Sequence, residues 1–335
     1  MALKSFSQPL SLALALIGAA GAAAALTPVT FGTNWLAEAE HGGFYQAVAD
    51  GTYKQCGLDV KIIPGGPQVN NRAQMLAGKE DFIMAGNMLE EFNAAAEGVP
   101  VMAVAAIFQK EPQVILTHPG KGKTLADLKN MKIQVSDQGY TSFYQWMVKT
   151  MGFKDSNREV YTFNPGPFIA NPNLAMQGYL SSEPRMVEQE GHFKPDIYLI
   201  ADYGWSTYST LIETMAATVK SKPEVVKCFV DGSILGWYNY LYHDNSKANA
   251  LIKKDNPDMT DAQLAFAIDQ MKAKGIADSG DTLKLGIGAM TDARWKTFYD
   301  EMVAAQVVKP NIDYKSVYTT AFVDKGLGLD LRPKN

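Results

Sequence analysis

The sequence predicts an α/β fold in two similar lobes, strands alternating with helices. Three observations lead there. Short β-rich apolar runs alternate with segments whose apolar residues recur at helical spacing. The stretch 132–151 repeats the strand, polar loop and helix layout of 29–49. The length of 335 residues corresponds to about two domains of roughly 150 residues each.

The chain opens on a leader. Lys4 is the only charge before Glu38, and it precedes an apolar run at 10–17 and a small-residue tail at 18–25. This is the layout of a secretory signal peptide, with an apolar core too short to span a bilayer as a helix. Ala23-Ala24-Ala25 offers the small residues of a cleavage site. The expected signal peptide is therefore 1–25, the mature chain begins near Leu26, and its destination is the periplasm. No later run approaches the roughly twenty apolar residues of a membrane span.

The first strand is expected at 29–31, with Asn34 and Trp35 on the loop that leaves it. His41 stands before a helix opened by Gly42-Gly43, in which Phe44, Ala47 and Val48 repeat at helical spacing. Gly51 and Gly57 interrupt that pattern, and 58–62 alternates as a second strand. Open α/β sheets place ligands on loops at the carboxyl ends of strands. A helix start adds unpaired N–H groups and a partial positive charge there. Asn34, Trp35 and His41 are thus candidate ligand contacts, and His41 serves equally well as a packing or capping residue.

Pro64-Gly65-Gly66-Pro67 is a turn that either faces the ligand or only connects. A helix at 70–77 and a strand at 81–85 lead to Gly86-Asn87, which opens another helix. Asn87 either presents its amide to a ligand or caps that helix. A strongly apolar strand at 101–108 is followed by Gln109, a further candidate, and by an extended run at 113–117. Thr124 is the expected N-cap of the short helix after it.

In the second lobe, the strand 132–135 precedes a polar loop, 136–141, and a helix, 142–151. Gln138 and Tyr140 are candidates there, while Thr141 and Ser142 read first as caps. The loop 163–168 holds two prolines and a glycine, is irregular, and contributes Asn164. The stretch 173–179 reads as a short helix. Glu183, before Pro184, is the carboxylate expected nearest the cleft. A strand at 197–201 ends the lobe, and Tyr203 and Trp205 fall where the chain crosses back. After re-entry at 209–216 the chain is helical at 223–242, 245–253, 260–274 and 291–306, with Thr260 and Thr291 as N-caps and apolar stripes facing a core.

The net charge of −4 leaves no electrostatic footprint for nucleic acid. The two cysteines, Cys56 and Cys228, could pair in an oxidising compartment, but the expectation is two separate small buried apolar residues. His41, His118, His192 and His243 are scattered, without metal-ligand spacing, and no nucleophile motif is present. No metal and no cofactor are expected.

Asn34-Trp35, His41, Gly43-Phe44, Ala47, Gly51, Tyr53 and Gly57-Leu58-Asp59-Val60 resemble the first motif of the periplasmic solute-binding proteins for nitrate, sulfonate, taurine and thiamine precursors. That superfamily also includes the fungal thiamine-pyrimidine synthase. Asp81-Phe82, Gly86-Asn87, Val114-Ile115-Leu116 with the following 125–129, and Pro223-Glu224-Val225-Val226 follow in the same order, so the resemblance covers nearly all of the mature chain. It implies a type II periplasmic binding protein fold, each lobe a mixed sheet flanked by helices and the two joined by two crossover hinge strands, with lobe 1 at 26–117 plus 206–335 and lobe 2 at 118–205. It also implies a monomeric receptor that closes on a small-molecule solute and delivers it to an ABC transporter permease at the inner membrane.

None of the candidate positions is Lys or Arg. A permanently anionic solute usually recruits a basic side chain. Aromatic rings, amides and a carboxylate suit a flat heterocycle with hydrogen-bond donors, such as a thiamine-precursor aminopyrimidine or a flavin. An aliphatic sulfonate, taurine or nitrate is the alternative solute. A pyrimidine synthase-like enzyme is the remote alternative. His41 matches a histidine of that motif, yet the synthase's cysteine cluster is missing and a leader does not fit an intracellular enzyme.

Overall fold

The computed structural model describes residue 1 and residues 25–67 and 69–334. The expected signal peptide lies almost wholly outside the described residues. β1 (Thr27–Gly32) and β2 (Leu58–Ile63) pair in parallel, Thr27 opposite Leu58 and Gly32 opposite Ile63. The helix Gly42–Ala49 connects them, completing the β-α-β unit. β3 (Phe82–Asn87) pairs with the other side of β1. β4 (Val101–Phe108) is buried along nearly its whole length. Such continuously apolar strands belong inside a sheet covered on both faces.

Here the chain leaves the first sheet. β5 (Gln113–Thr117), β6 (Lys132–Val135), β7 (Arg158–Val160), β8 (Leu174–Tyr179) and β9 (Asp196–Leu199) form a second sheet in the order β7-β6-β8-β5-β9. β10 (Ser209–Met215) then returns to the first sheet and inserts antiparallel between β3 and β4, giving β2-β1-β3-β10-β4. Both sheets are mixed, and both are flanked by helices. The run 113–117, placed at the end of lobe 1 by the sequence reading, pairs with β8 and β9. The first crossover is therefore 109–112, and the second lies between Leu199 and Ser209.

Two other expectations are corrected. The stretch 173–179 is strand β8, not a helix, because its mostly apolar residues are buried between β6 and β5. Cys56 and Cys228 are joined by a disulfide, with Cα atoms 5.7 Å apart. The fold brings the turn before β2 against the long helix Pro223–Tyr242, so the two thiols meet despite a separation of 172 residues.

That helix also packs on Gly42–Ala49 at very short range. A Cβ on Gly43 would lie 2.2 Å from the Trp237 ring, and one on Gly236 would lie 2.2 Å from the Gly43 carbonyl oxygen. The paired glycines of the first motif thus serve helix contact. Phe31, Phe44, Phe82, Phe229 and Trp237 fill the space between this helix pair and the sheet.

The two crossovers are tied to each other. Arg294, on the helix Asp292–Ala304, donates to the carbonyl oxygens of Gln109 on one crossover and of Ser206 and Thr207 on the other. Its guanidinium lies over the Tyr208 ring, 4.1 Å from the centroid. Trp205 Nε1 donates to the Glu111 carboxylate, again linking the second crossover to the first.

Candidate functional site

The carboxyl ends of β1, β3 and β6, together with the end of β8, open onto a cleft between the sheets. An inner chamber of about 200 Å³ is lined by Trp35, Glu38, Glu40, Gln177, Tyr179 and Glu183, among others. Outside it is a vestibule of about 780 Å³. A small recess of about 60 Å³ reaches down to Asn87, Glu111 and Ser142 beside the crossovers.

Five of the eleven sequence candidates line this cleft: Asn34, Trp35, Asn87, Gln138 and Glu183. Asn34 is held from behind. His41 is fully buried; it accepts the Glu38 backbone N–H at Nδ1 and presents Nε2 to Asn34 Oδ1 at 3.1 Å. Those partners fix the neutral tautomer with the proton on Nε2. Burial lowers the His41 pKa to about 3, so the ring stays neutral. With Oδ1 occupied, Asn34 turns its NH₂ group to the cleft.

Asn87 fills the capping role expected of it, and its amide nitrogen is bound within the protein. Its Oδ1 caps the helix Met88–Glu97 by accepting from Leu89 N, while its Nδ2 donates to Glu111 at 2.7 Å and to Ser142 Oγ at 3.3 Å. Gln138 Nε2 reaches across the cleft to Glu90 at 2.8 Å. Glu183 opens the helix Glu183–Gly191 and accepts the Tyr179 N–H at 2.7 Å.

The other six candidates stand elsewhere. His41 supports Asn34 without reaching the cavity. Gln109 is buried in the first crossover, donating to the Ala106 and Ala289 carbonyls. Tyr140 stacks under Arg158, whose guanidinium is 4.6 Å from the ring centroid. Asn164 accepts from Gly166 N, turning the loop before the helix Gly166–Ala170; its neighbour Phe163 lines the cleft instead. Trp205 is fully buried and belongs to the crossover, as does the half-buried Tyr203.

The sequence reading missed the chamber's acids. Glu38 and Glu40 flank Ala39 on the turn before the first helix and meet Glu183 from the other lobe. Burial first, then the charges of Glu40 and Glu183, push the Glu38 pKa well above the ordinary carboxylate range. Burial raises Glu40 as well, opposed by its hydrogen bond with Ser181. Burial pushes Glu183 up to about 7, against the Tyr179 N–H that favours its charged form. Glu111 is pushed up to about 7 by burial, against its bonds from Asn87 and Trp205.

Among the described residues no Lys or Arg lines the inner chamber or the recess. Arg72, at the vestibule, is committed to Glu213 and Glu91. Gln177 and Tyr179, on one face of β8, were hidden by reading that strand as a helix. Glu38 and Glu40 carried a legible signal: two carboxylates two residues apart in the otherwise uncharged loop after β1.

A family model described as NMT1/THI5 like matches residues 38–247. No curated protein matches the sequence. Solved structures similar to this chain include a Candida albicans gene product with the generic periplasmic binding protein fold, at 16% identity and TM-score 0.62, covering 89% of this chain and 98% of that one. The alkanesulfonate-binding protein SsuA from Xanthomonas axonopodis pv. citri, bound to MOPS, is 11% identical with TM-score 0.62, covering 89% and 99%. The periplasmic nitrate-binding protein NrtA from Synechocystis PCC 6803 is 12% identical with TM-score 0.59, covering 89% and 87%.

Proposed function

The chain belongs to the NMT1/THI5-like family, and from that premise we propose that it is a periplasmic receptor that delivers a small heteroaromatic amine to an ABC permease. The observation that carries the ligand reading is the inner chamber itself, where Glu38, Glu40 and Glu183 converge with no basic side chain among its described lining residues. Each acid is held above its ordinary pKa by burial, so together they accept a protonated or donor-rich edge and resist a second anion. Trp35, Phe163 and Tyr179 supply flat surfaces for a ring, worth about 0.5–1.5 kcal/mol per aromatic pair beyond area burial. A thiamine-precursor aminopyrimidine has this chemistry. Among the described residues no cluster of His, Cys, Asp or Glu is spaced to hold a metal ion, so the acids are read as partners for an organic amine.

Three features support a receptor. Two mixed sheets face each other across a cleft, crossed by two tied segments on which the lobes can hinge. Among its described lining residues the chamber has no His, Cys or Lys. The disulfide suits an oxidising compartment.

The test is thermal melting of the chain from Leu26 onward against aminopyrimidines, thiamine, nucleobases, taurine, alkanesulfonates and nitrate. A ligand at about a hundred times its Kd adds about 2.7 kcal/mol, a rise of several degrees at roughly 2–4 °C per kcal/mol. Heterocyclic amines are expected to give that rise. A rise with sulfonates or nitrate alone overturns the ligand reading; no rise with any compound overturns the receptor.

A further inference from the structure

The cleft is constricted. Trp35 leaves β1 on one lobe and Phe163 follows β7 on the other, and their rings meet across the gap with centroids 4.7 Å apart. Both residues line the inner chamber and the vestibule alike. Phe163 is also 42% exposed and has a backbone φ of 62°, a left-handed conformation costly for a residue with a Cβ. A large apolar ring held in solvent on a strained backbone is not there for the core. Tyr161 packs behind it at 5.3 Å and keeps it turned toward Trp35.

The two compartments differ in chemistry. The inner chamber is acidic and aromatic. The vestibule adds the Asn70 amide and the Thr162 hydroxyl, with Glu90, Glu97 and Asp137; the one basic side chain among its described lining residues, Arg72, is already bound to Glu213 and Glu91. A neutral hydroxylated group finds partners there, and a phosphate does not.

Resting on the receptor reading above, we propose that the solute has two parts: a flat amine-bearing ring in the inner chamber, and a neutral hydroxylated tail that passes the Trp35–Phe163 neck into the vestibule. Phe163 is then the specificity-determining residue, closing over the ring while letting a slim tail through.

The experiment uses trios that differ only in the tail: cytosine, cytidine and cytidine monophosphate; adenine, adenosine and adenosine monophosphate; lumiflavin, riboflavin and its phosphate. Calorimetric Kd values are measured for each with wild type and Phe163→Gly. Glycine adopts the left-handed backbone freely, so the variant folds. In at least one trio the neutral tailed member is expected to bind about tenfold tighter than both the bare ring and the phosphate, and Phe163→Gly to weaken it about tenfold.

Trp35 gives a second readout. It is half-buried, whereas Trp146, Trp205, Trp237 and Trp295 are buried, so acrylamide quenching reports chiefly on Trp35. Quenching rises in Phe163→Gly and falls when the tailed compound binds wild type. Bare rings binding as tightly as tailed ones, or unchanged affinity and quenching in Phe163→Gly, overturn the two-part site and leave the receptor standing. Silence from all nine compounds removes the heteroaromatic reading, and this proposal with it.

Discussion

Glu111 and Glu183 both carry pKa values of about 7, against about 4.3 for a free glutamate. An acid raised in this way stabilises the folded chain while protonated. That contribution is complete below about pH 4.3 and is lost as the pH climbs through 7. His41 has the opposite sign: its pKa of about 3 lies below the ordinary value of about 6.5, so its share is lost only as the pH falls under 6.5. Above that value the acids act alone. The melting temperature of solute-free protein is therefore expected to fall between about pH 6.5 and 7.5, by the equivalent of roughly 1 kcal/mol per acid, the last part of a loss that begins near pH 4.3. Glu111→Gln should flatten part of that fall; parallel pH profiles for variant and wild type would sink the assignment. At this scale the sequence disclosed the residues that end strands. Asn34 and Trp35 follow β1, Asn87 ends β3, and Gln138 and Glu183 lie at helix starts just after β6 and β8, which places all five at the cleft. Gln109, Tyr203 and Trp205 were misplaced for a physical reason. A polar or aromatic residue on a crossover can face the ligand or the opposite crossover, and local sequence does not distinguish the two.

Among the elements, the pairing of Gly42–Ala49 with Pro223–Tyr242 shows where local propensity yields to packing. Gly236 sits mid-helix, where alanine would gain about 1 kcal/mol in intrinsic preference. Its Cβ would lie 2.2 Å from the Gly43 carbonyl oxygen, and a backbone atom cannot step aside as a flexible side chain does. Gly236→Ala is expected to lower stability by about 1–3 kcal/mol, read as a drop in urea midpoint with an unchanged slope. A rise in midpoint would mean that the helices separate freely. Helices with strong caps were legible: Thr260 and Thr291 cap as expected, each accepting an N–H at the third helical position. β8 was not legible. Six residues with glutamine and glycine at the end fit either period, and only the neighbours β5 and β6 decide between them.

For the whole molecule, the two-lobe layout was legible because strand and helix signals repeat across the chain, whereas the disulfide was not. Nothing near Cys56 indicates that Cys228 lies beside it; the juxtaposition depends on the fold of the entire first lobe. Closing a loop of 172 residues stabilises by about 2–5 kcal/mol. Reduction, or Cys56→Ser with Cys228→Ser, should lower the melting temperature by roughly 2–4 °C per kcal/mol. Identical melting of oxidised and reduced protein would argue that the bridge does not form in solution.

The place of β10 bears on how the molecule is made. The second sheet has all its strands once residue 199 has been synthesised, but the first sheet keeps a gap between β3 and β4 until 209–215 arrives to fill it. The lobe that begins first must therefore finish last. In the interval, two long apolar strands stand with open edges, which are templates for pairing with other chains. Pairings this distant in sequence also form slowly. Newborn chains of this protein spend their most aggregation-exposed period with one lobe complete and the other unclosed.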